Sequence, residues 1–459
     1  MKTLTGVMPL LMLGSAALAQ EKPNIVFILT DDMGWKDLGC YGNKFTETPN
    51  IDSLAQSGIL FTQAYAACPV SSPTRASIMT GKHPARLHLT NFIAGNRTDP
   101  ASPVLPAPWK PYLEAREITV AEILRDAGYK TAMVGKWHLG GHDSIAPWSQ
   151  GFDYTRMIGR NGLDYYNYSI YEDSYNNEFV DKGTEYLTDK LTDYAVEFIE
   201  GAGSNSFFLY MCYSAPHVVI VPRPDKLMKY FRKYNNSDEK FNPYYSAMVE
   251  SIDDGVGRIV ETLKKKGLYE NTLIVFTSDN GGLGMDELGP TPTSNLPLRK
   301  WKGHVYEGGI RVPAIITWKE KLKAGAISDD YFSTEDYLST FCDILGIKSL
   351  PHNIDGRSIA PLFRGEPFPA SGRPLFWHYP HFSNQMSRPA GAVRLGDYKL
   401  VESYETGKLE LYDLKNDISE SKDLSTTMKQ KTQELYELLV QWRKSLNANM
   451  PVPNPEYRR

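Results

Sequence analysis

The sequence predicts an α/β fold: a mostly parallel sheet sandwiched by helices, followed by a smaller antiparallel sheet-plus-helix subdomain. Three observations predict it. Four short, mainly apolar runs (24–30, 130–134, 207–211 and 272–276) read as strands, as expected where a parallel sheet is covered on both faces. Stretches with helical spacing lie between these runs, and alternating strands and helices imply a parallel sheet. Each run also delivers a polar cluster: Asp31-Asp32, Gly135-Lys136-Trp137-His138, Ser214-Ala215-Pro216-His217 and Ser278-Asp279-Asn280-Gly281-Gly282. In open α/β sheets the ligand lies beyond the carboxyl ends of the strands, so four such clusters make a candidate site.

With 459 residues and a net charge of −4, the chain has room for one large domain and a smaller one. Nothing in it is basic enough to suggest a nucleic-acid partner. Lys2, the apolar stretch Val7–Leu18 and Ala17-Leu18-Ala19 read as a secretory signal peptide over residues 1–19. The apolar run is shorter than the roughly 20 residues a membrane span needs. No cysteine follows the expected cleavage point and no other segment is apolar enough to span, so the expectation is a soluble periplasmic or secreted protein. The four cysteines (Cys40, Cys68, Cys212, Cys342) have no framework spacing and no zinc-type cluster, and Cys212 and Cys342 read as buried thiols.

In chain order, Pro49–Ala55 opens a short helix that stops at Gly58. Ser71-Ser72-Pro73-Thr74-Arg75-Ala76-Ser77-Ile78-Met79-Thr80-Gly81 reads as a turn entering a helix, with Pro73 in the first turn and Gly81 as the stop. Ser71 then lies at a helix N-terminus, either as an ordinary cap or where free N–H groups and the helix dipole favour an anion. Thr119-Val120-Ala121-Glu122 is a capping box, followed by Ile123, Leu124 and Ala127 and closed by Gly128. Trp137 reads as core, with Lys136 and His138 sharing the opposite side of a continued strand. Tyr165–Tyr171 reads either as hairpin packing or as a surface that stacks on rings. Met248, Ile252, Val256, Ile259, Val260 and Leu263 mark a long helix ending at Gly267. From about residue 350, four short segments near 375–379, 391–395, 398–401 and 409–412 read as antiparallel strands. A last helix carries Met428, Leu435, Leu438, Leu439, Trp442 and Leu446 on one face. The expected domains are thus 20–350 and 351–459, with no internal repeat.

Asp31, Asp32, Asp279 and Asn280 offer three carboxylates and an amide oxygen, a hard donor set suited to Ca²⁺ or Mg²⁺. Taken singly, each is better explained as a cap or a turn.

Residues 71–81 resemble the signature of the type I sulfatases, (Cys or Ser)-x-Pro-(Ser/Thr)-Arg-x-x-x-x-Thr-Gly. Cys68 lies three residues early and is not followed by x-Pro-x-Arg, so Ser71 is the residue that corresponds. Gly135-Lys136-Trp137-His138, Ala215-Pro216-His217 and Arg299–Pro313, with its Lys302-Gly303 and Glu307-Gly308-Gly309, resemble further motifs of that family in the same order. The resemblance runs from about residue 23 to 446. It implies an alkaline-phosphatase-like fold and an enzyme that hydrolyses sulfate esters. It implies that a serine-type formylglycine-generating maturase oxidises Ser71 to formylglycine. Asp31, Asp32, Asp279 and Asn280, with the formylglycine oxygen at position 71, are implied as the ligands of one Ca²⁺. Arg75, Lys136 and Lys302 would carry positive charge to the sulfate oxygens. His217, assisted by Lys302, would protonate the departing alcohol, and His138 would take the proton from the remaining hydroxyl so that the aldehyde re-forms.

The expected substrate is a sulfated carbohydrate of glycosaminoglycan, mucin or algal type, with galactose or N-acetylgalactosamine favoured. His83, Arg86, His88 and Arg97 follow the Ser71 helix and are expected to reach it. Two alternatives compete: a phosphatase, phosphodiesterase or phosphonate hydrolase of the same superfamily, and a non-enzymatic glycan-binding protein with unmodified Ser71.

Overall fold

The computed structural model describes residues 22–458 other than 160–163, 177, 182–184, 237–240, 367 and 369–371; the expected signal peptide lies outside the described residues. One sheet dominates. Its strands run in the spatial order Ala326–Ser328, Ile59–Tyr65, Arg311–Thr317, Thr272–Ser278, Asn24–Thr30, Phe207–Cys212, Lys130–Gly135, Tyr154–Ile158, Tyr168–Tyr171 and Glu178–Asp181. The five from Thr272–Ser278 to Tyr154–Ile158 are all parallel. Arg311–Thr317 is antiparallel to both neighbours, and the last two strands form antiparallel hairpins at the far edge.

The apolar runs follow from burial on both faces. In Asn24–Thr30, Ile25, Phe27 and Leu29 enter one core, while Val26 and Ile28 enter the other. On the first face lie Ile78 and Met79 of the Ser71–Thr80 helix, Leu124 of Val120–Asp126, and Leu338 and Phe341 of Asp336–Ile344. On the second lie Ile51 and Leu54 of Pro49–Ser57, Leu191 and Ile199 of Leu187–Gly201, and Ile252 and Val256 of Pro243–Lys265. The expected capping box is present: Thr119 and Glu122 each bond the other's backbone N–H. The Tyr-rich segment is a packing element: Tyr165 and Tyr168 are buried, and the Tyr165 hydroxyl donates to the carbonyls of Ser214 and His217, each at 3.0 Å. All four cysteines are free thiols.

A four-stranded antiparallel sheet (Leu375–Tyr379, Ala390–Leu395, Tyr398–Ser403, Leu409–Asp413) follows. The helix Lys429–Ser445 covers one face, seating Leu435 and Leu439 on Val393, Leu400 and Leu411. The other face joins the large domain, where Trp377, Val401 and Tyr412 pack with Tyr65, Val70 and Ile310. A fully buried ion cluster crosses this joint: Lys399 Nζ lies 2.9 Å from Glu307 Oε1 and 2.9 Å from Glu420 Oε1. Burial pushes the Glu420 carboxyl up to about 7, whereas Lys399 and Arg311 outweigh burial at Glu307 and hold it at about 2. Lys399→Met removes a cation shared by two buried carboxylates. It is expected to cost about 3–5 kcal/mol, read as a lower midpoint of chemical unfolding at constant slope.

Candidate active site

The site follows from the strand order. Thr272–Ser278, Asn24–Thr30, Phe207–Cys212 and Lys130–Gly135 are consecutive and parallel, so their carboxyl ends open at one edge of the sheet. That edge brings together Asp279-Asn280, Asp31-Asp32, His217 and Lys136-His138. Two of the strands end in strained backbone: Asp32 has φ 66° and His138 has φ 60°. Left-handed conformations at non-glycine residues cost roughly 1–3 kcal/mol and gather at functional sites. Lys136 and His138 do not continue the strand as the sequence suggested. The strand stops at Gly135 (φ 108°), where a Cβ would sit 1.9 Å from the carbonyl oxygen of Cys212, and the chain turns there. The Lys136 N–H bonds that same carbonyl.

The helix Ser71–Thr80 meets this edge with every residue buried. Val70 occupies the cap position without a side-chain cap bond, so Ser71 is not a capping serine. Its hydroxyl instead lies 3.1 Å from Asp31 Oδ1 and 3.3 Å from Asn280 Oδ1. One turn on, Arg75 is 0% exposed; its Nε and Nη2 lie 2.9 and 2.8 Å from Asp279 Oδ2, and its Nη1 donates to the Lys136 carbonyl at 2.7 Å. Lys136 Nζ pairs with Asp31, and Lys302 Nζ with Asp32 Oδ2 at 2.7 Å. Asn280 Nδ2 donates to Asp32 Oδ1 at 2.8 Å.

The electrostatics are those of buried charges facing one another. Asp31 is held well below the usual carboxylate range, because Lys136 and the other surrounding cations outweigh its burial. Asp279 is pushed up to about 6, first by burial and then by Asp31. Side-chain ligand atoms of Asp31, Asp32 and His217 all lie within 4.8 Å of one another. Buried carboxylates so spaced, with the Asn280 amide oxygen beside them, fit a hard divalent cation.

The two histidines differ. His217 places Nδ1 against the Val218 carbonyl, leaving Nε2 3.1 Å from Lys302 Nζ and 3.6 Å from Asp32 Oδ2. Burial, then Lys302, lowers its pKa. His138 is lowered further, by burial and then by Lys136 and Arg75, and its Nδ1 is buried without a hydrogen-bond partner among the described residues. Both are therefore held as neutral imidazoles, one against an ammonium and one as a free base.

Of the residues expected to reach substrate, two have other partners. His83 is buried, with one ring nitrogen accepting from Ala85 N and the other 3.0 Å from the Phe376 carbonyl. Arg86 grips both carboxylate oxygens of Asp355 at 2.8 and 2.6 Å. Both side chains tie separate segments of the fold together. His88 is half-buried at a left-handed helix end, and Arg97 is exposed. Sequence reading missed Asp37, which fixes the loop after Asp32 by accepting from Gly34 N, Thr293 Oγ1 and Tyr245 OH. A single Asp beyond a Gly carries no signal of that role.

Comparison with known proteins places the chain in a family. Residues 23–347 match the family described as Sulfatase, and residues 300–446 match N-sulphoglucosamine sulphohydrolase, C-terminal. A sulfatase of Formosa agariphila is 32% identical, covering 88% of this chain and 85% of its own. The N-acetylgalactosamine-6-sulfatase of Canis lupus familiaris is 33% identical, covering 86% and 75% respectively. The crystal structure of Ps i-CgsB in complex with k-i-k-neocarrahexaose superposes with a TM-score of 0.80 at 29% identity, covering 92% of this chain and 93% of that one. The parallel sheet with its converging strand ends and the small C-terminal sheet are accordingly those of a sulfuric ester hydrolase, and the chain belongs to the sulfatase family.

Proposed function

We propose that this protein is an exported, formylglycine-dependent sulfatase that removes sulfate from sugars of a sulfated glycan. The observation that carries this reading is the position of Ser71. It heads a buried helix, 3.1 Å from Asp31 Oδ1, within a ring formed by Arg75, Lys136, Lys302, His138 and His217. An N-acetylgalactosamine-6-sulfatase among the relatives and the k-i-k-neocarrahexaose bound to a structural neighbour support a galactose-type ring as the sulfated sugar. The leader-like residues 1–19 support export.

Asp31, Asp32, Asp279 and Asn280 would hold Ca²⁺, with the oxygen at position 71 beside it. Once bound, calcium supplies positive charge to the sulfate oxygens, and formylglycine supplies a hydrated aldehyde with two hydroxyls on one carbon. The remaining work belongs to the chain. Arg75 and Lys136 orient the ester anion with its sulfur open to position 71. Lys302 and His217 hand a proton to the departing sugar oxygen. His138, kept neutral by burial and two cations, accepts a proton at position 71.

A desulfation screen tests the reading: sulfated monosaccharides and disaccharides against protein whose Ser71 is confirmed by mass to be formylglycine. Release of phosphate from phosphate esters, with none from any sugar sulfate, would reject it. The metal has a separate test. Calcium at a hundredfold excess over its Kd should stabilise chelator-stripped protein by about 2.7 kcal/mol. Asp279→Ala should abolish that rise in melting temperature. Stoichiometric zinc in the purified protein, with no response to calcium, would overturn the assignment.

A further inference from the structure

We propose that Tyr165 is a positioning residue for the reaction, its hydroxyl holding the turn Ser214–His217 so that the His217 ring meets the departing oxygen. This rests on the sulfatase reading above and adds to it a residue that acts only through another.

The turn is held from two sides. It follows the strand Phe207–Cys212, and the His217 N–H closes it on the Ser214 carbonyl at 3.1 Å. On one side the Ala215 carbonyl accepts from the Asp31 N–H at 3.2 Å, which ties the turn to the strand end that carries the carboxylates. On the other side stands Tyr165, with its hydroxyl 3.0 Å from the Ser214 carbonyl oxygen and 3.0 Å from that of His217. One proton is thus shared between the first and last residues of the turn. Among the described residues no other group donates to the His217 carbonyl. Burial, then Tyr186, raises the Tyr165 pKa well above that of an ordinary phenol, so the hydroxyl keeps the proton it donates.

Tyr165 is itself fixed by the core. Its side chain is buried, its ring stacks on Tyr186 at 5.6 Å, and its carbonyl accepts from the Leu187 N–H at 2.9 Å, where the helix Leu187–Gly201 begins. The hydroxyl therefore has its place independently of the turn it holds.

His217 has little slack. Its Nδ1 faces the Val218 carbonyl, and its Nε2 lies 3.1 Å from Lys302 Nζ and 3.6 Å from Asp32 Oδ2. Proton transfer needs hydrogen-bond reach, and a misplacement of about 1 Å can cost about 10²-fold. Ser71, Arg75, Lys136 and His138 come from other segments. A shift of this turn alone therefore impairs protonation of the leaving group and spares attack at sulfur. That asymmetry separates positioning from an ordinary folding contact.

The test uses Tyr165→Phe, which keeps the ring and removes the hydroxyl, made with formylglycine confirmed by mass. On a sugar sulfate kcat should fall about tenfold at nearly constant KM, while 4-nitrophenyl sulfate, whose phenol leaves almost unaided, should stay within about twofold of wild type. Tyr165→Phe/His217→Ala should be no slower on the sugar sulfate than His217→Ala alone, because the hydroxyl acts only through that ring. Tyr168→Phe removes a buried hydroxyl from the same segment, one that reaches the Glu185 carbonyl at 3.4 Å, and should leave both rates unchanged. An unchanged sugar rate, equal losses on the two esters, losses that multiply in the double variant, or the same pattern in Tyr168→Phe would each overturn the assignment. If wild type cleaves neither ester, the functional reading fails separately. Positioning is then decided without turnover, by long-range ¹H–¹⁵N spectra of histidine-labelled protein with the His217 signals identified from His217→Ala. Signals shifted by Tyr165→Phe and not by Tyr168→Phe uphold it, and signals unmoved by Tyr165→Phe, or moved alike by both, overturn it.

Discussion

Protein produced without a serine-type formylglycine-generating maturase is expected to release no measurable sulfate, although it folds and binds substrate. Ser71 sits where a nucleophile must, but a serine offers a single oxygen. Once that oxygen holds sulfur, nothing on the same carbon can push it off, and the buried surroundings admit no obvious replacement. The helix residues around it are all buried, and Arg75, Asp279 and Lys136 are locked together one turn away. The unmodified enzyme should therefore lose at least on the order of 10⁴-fold in turnover, the range seen when a covalent nucleophile is removed. Ser71→Ala should match it. Ser71→Cys made alongside a cysteine-type maturase should recover activity, with the peptide mass showing the aldehyde. Sustained turnover by protein whose Ser71 peptide is wholly unmodified would refute the assignment and return the chain to the phosphatase-like alternative.

Much of this site was legible because the strands that build it are buried on both faces and therefore stand out as apolar runs. Asn24–Thr30 was bounded correctly from sequence, and Thr272–Ser278 to within two residues. Their shared direction then makes four polar clusters converge without any knowledge of contacts. The antiparallel Arg311–Thr317 was hidden inside a motif read for its lysine and glycines, and its register depends on pairing with Ile59–Tyr65, far away in sequence. The error at Lys136–His138 is local: side-chain alternation assumes the strand continues, whereas the close carbonyl of Cys212 forces a glycine and a turn. His83 and Arg86 have partners that sequence order does not reveal. Positively charged residues just after a nucleophile helix look like substrate ligands, but their partners Phe376 and Asp355 come from segments nearly 300 residues on.

His217→Ala is expected to cost about 10²–10⁴-fold on sugar sulfates and far less on an activated aryl sulfate. A sugar alkoxide is a poor leaving group and needs a proton as the S–O bond breaks, whereas an acidic phenol leaves almost unaided. The geometry sharpens this, because His217 does not act alone. Its Nδ1 faces the Val218 carbonyl, which places the ring proton there, so Nε2 accepts from the Lys302 ammonium at 3.1 Å. Burial and Lys302 both lower the His217 pKa, so the imidazole is neutral before substrate arrives and the transferable proton lies with the pair. Lys302→Ala should therefore show the same leaving-group dependence as His217→Ala. The double variant should be scarcely worse than either, since residues that act as one unit are non-additive. His138→Ala should behave differently: its neighbours are Lys136 and Arg75, on the nucleophile's side, and its loss should slow sugar and aryl esters alike. Rates on a series of aryl sulfates of graded phenol acidity, set beside one sugar sulfate, decide the matter. A steep dependence in the His138 variant and a flat one in the His217 variant would show the two roles to be exchanged.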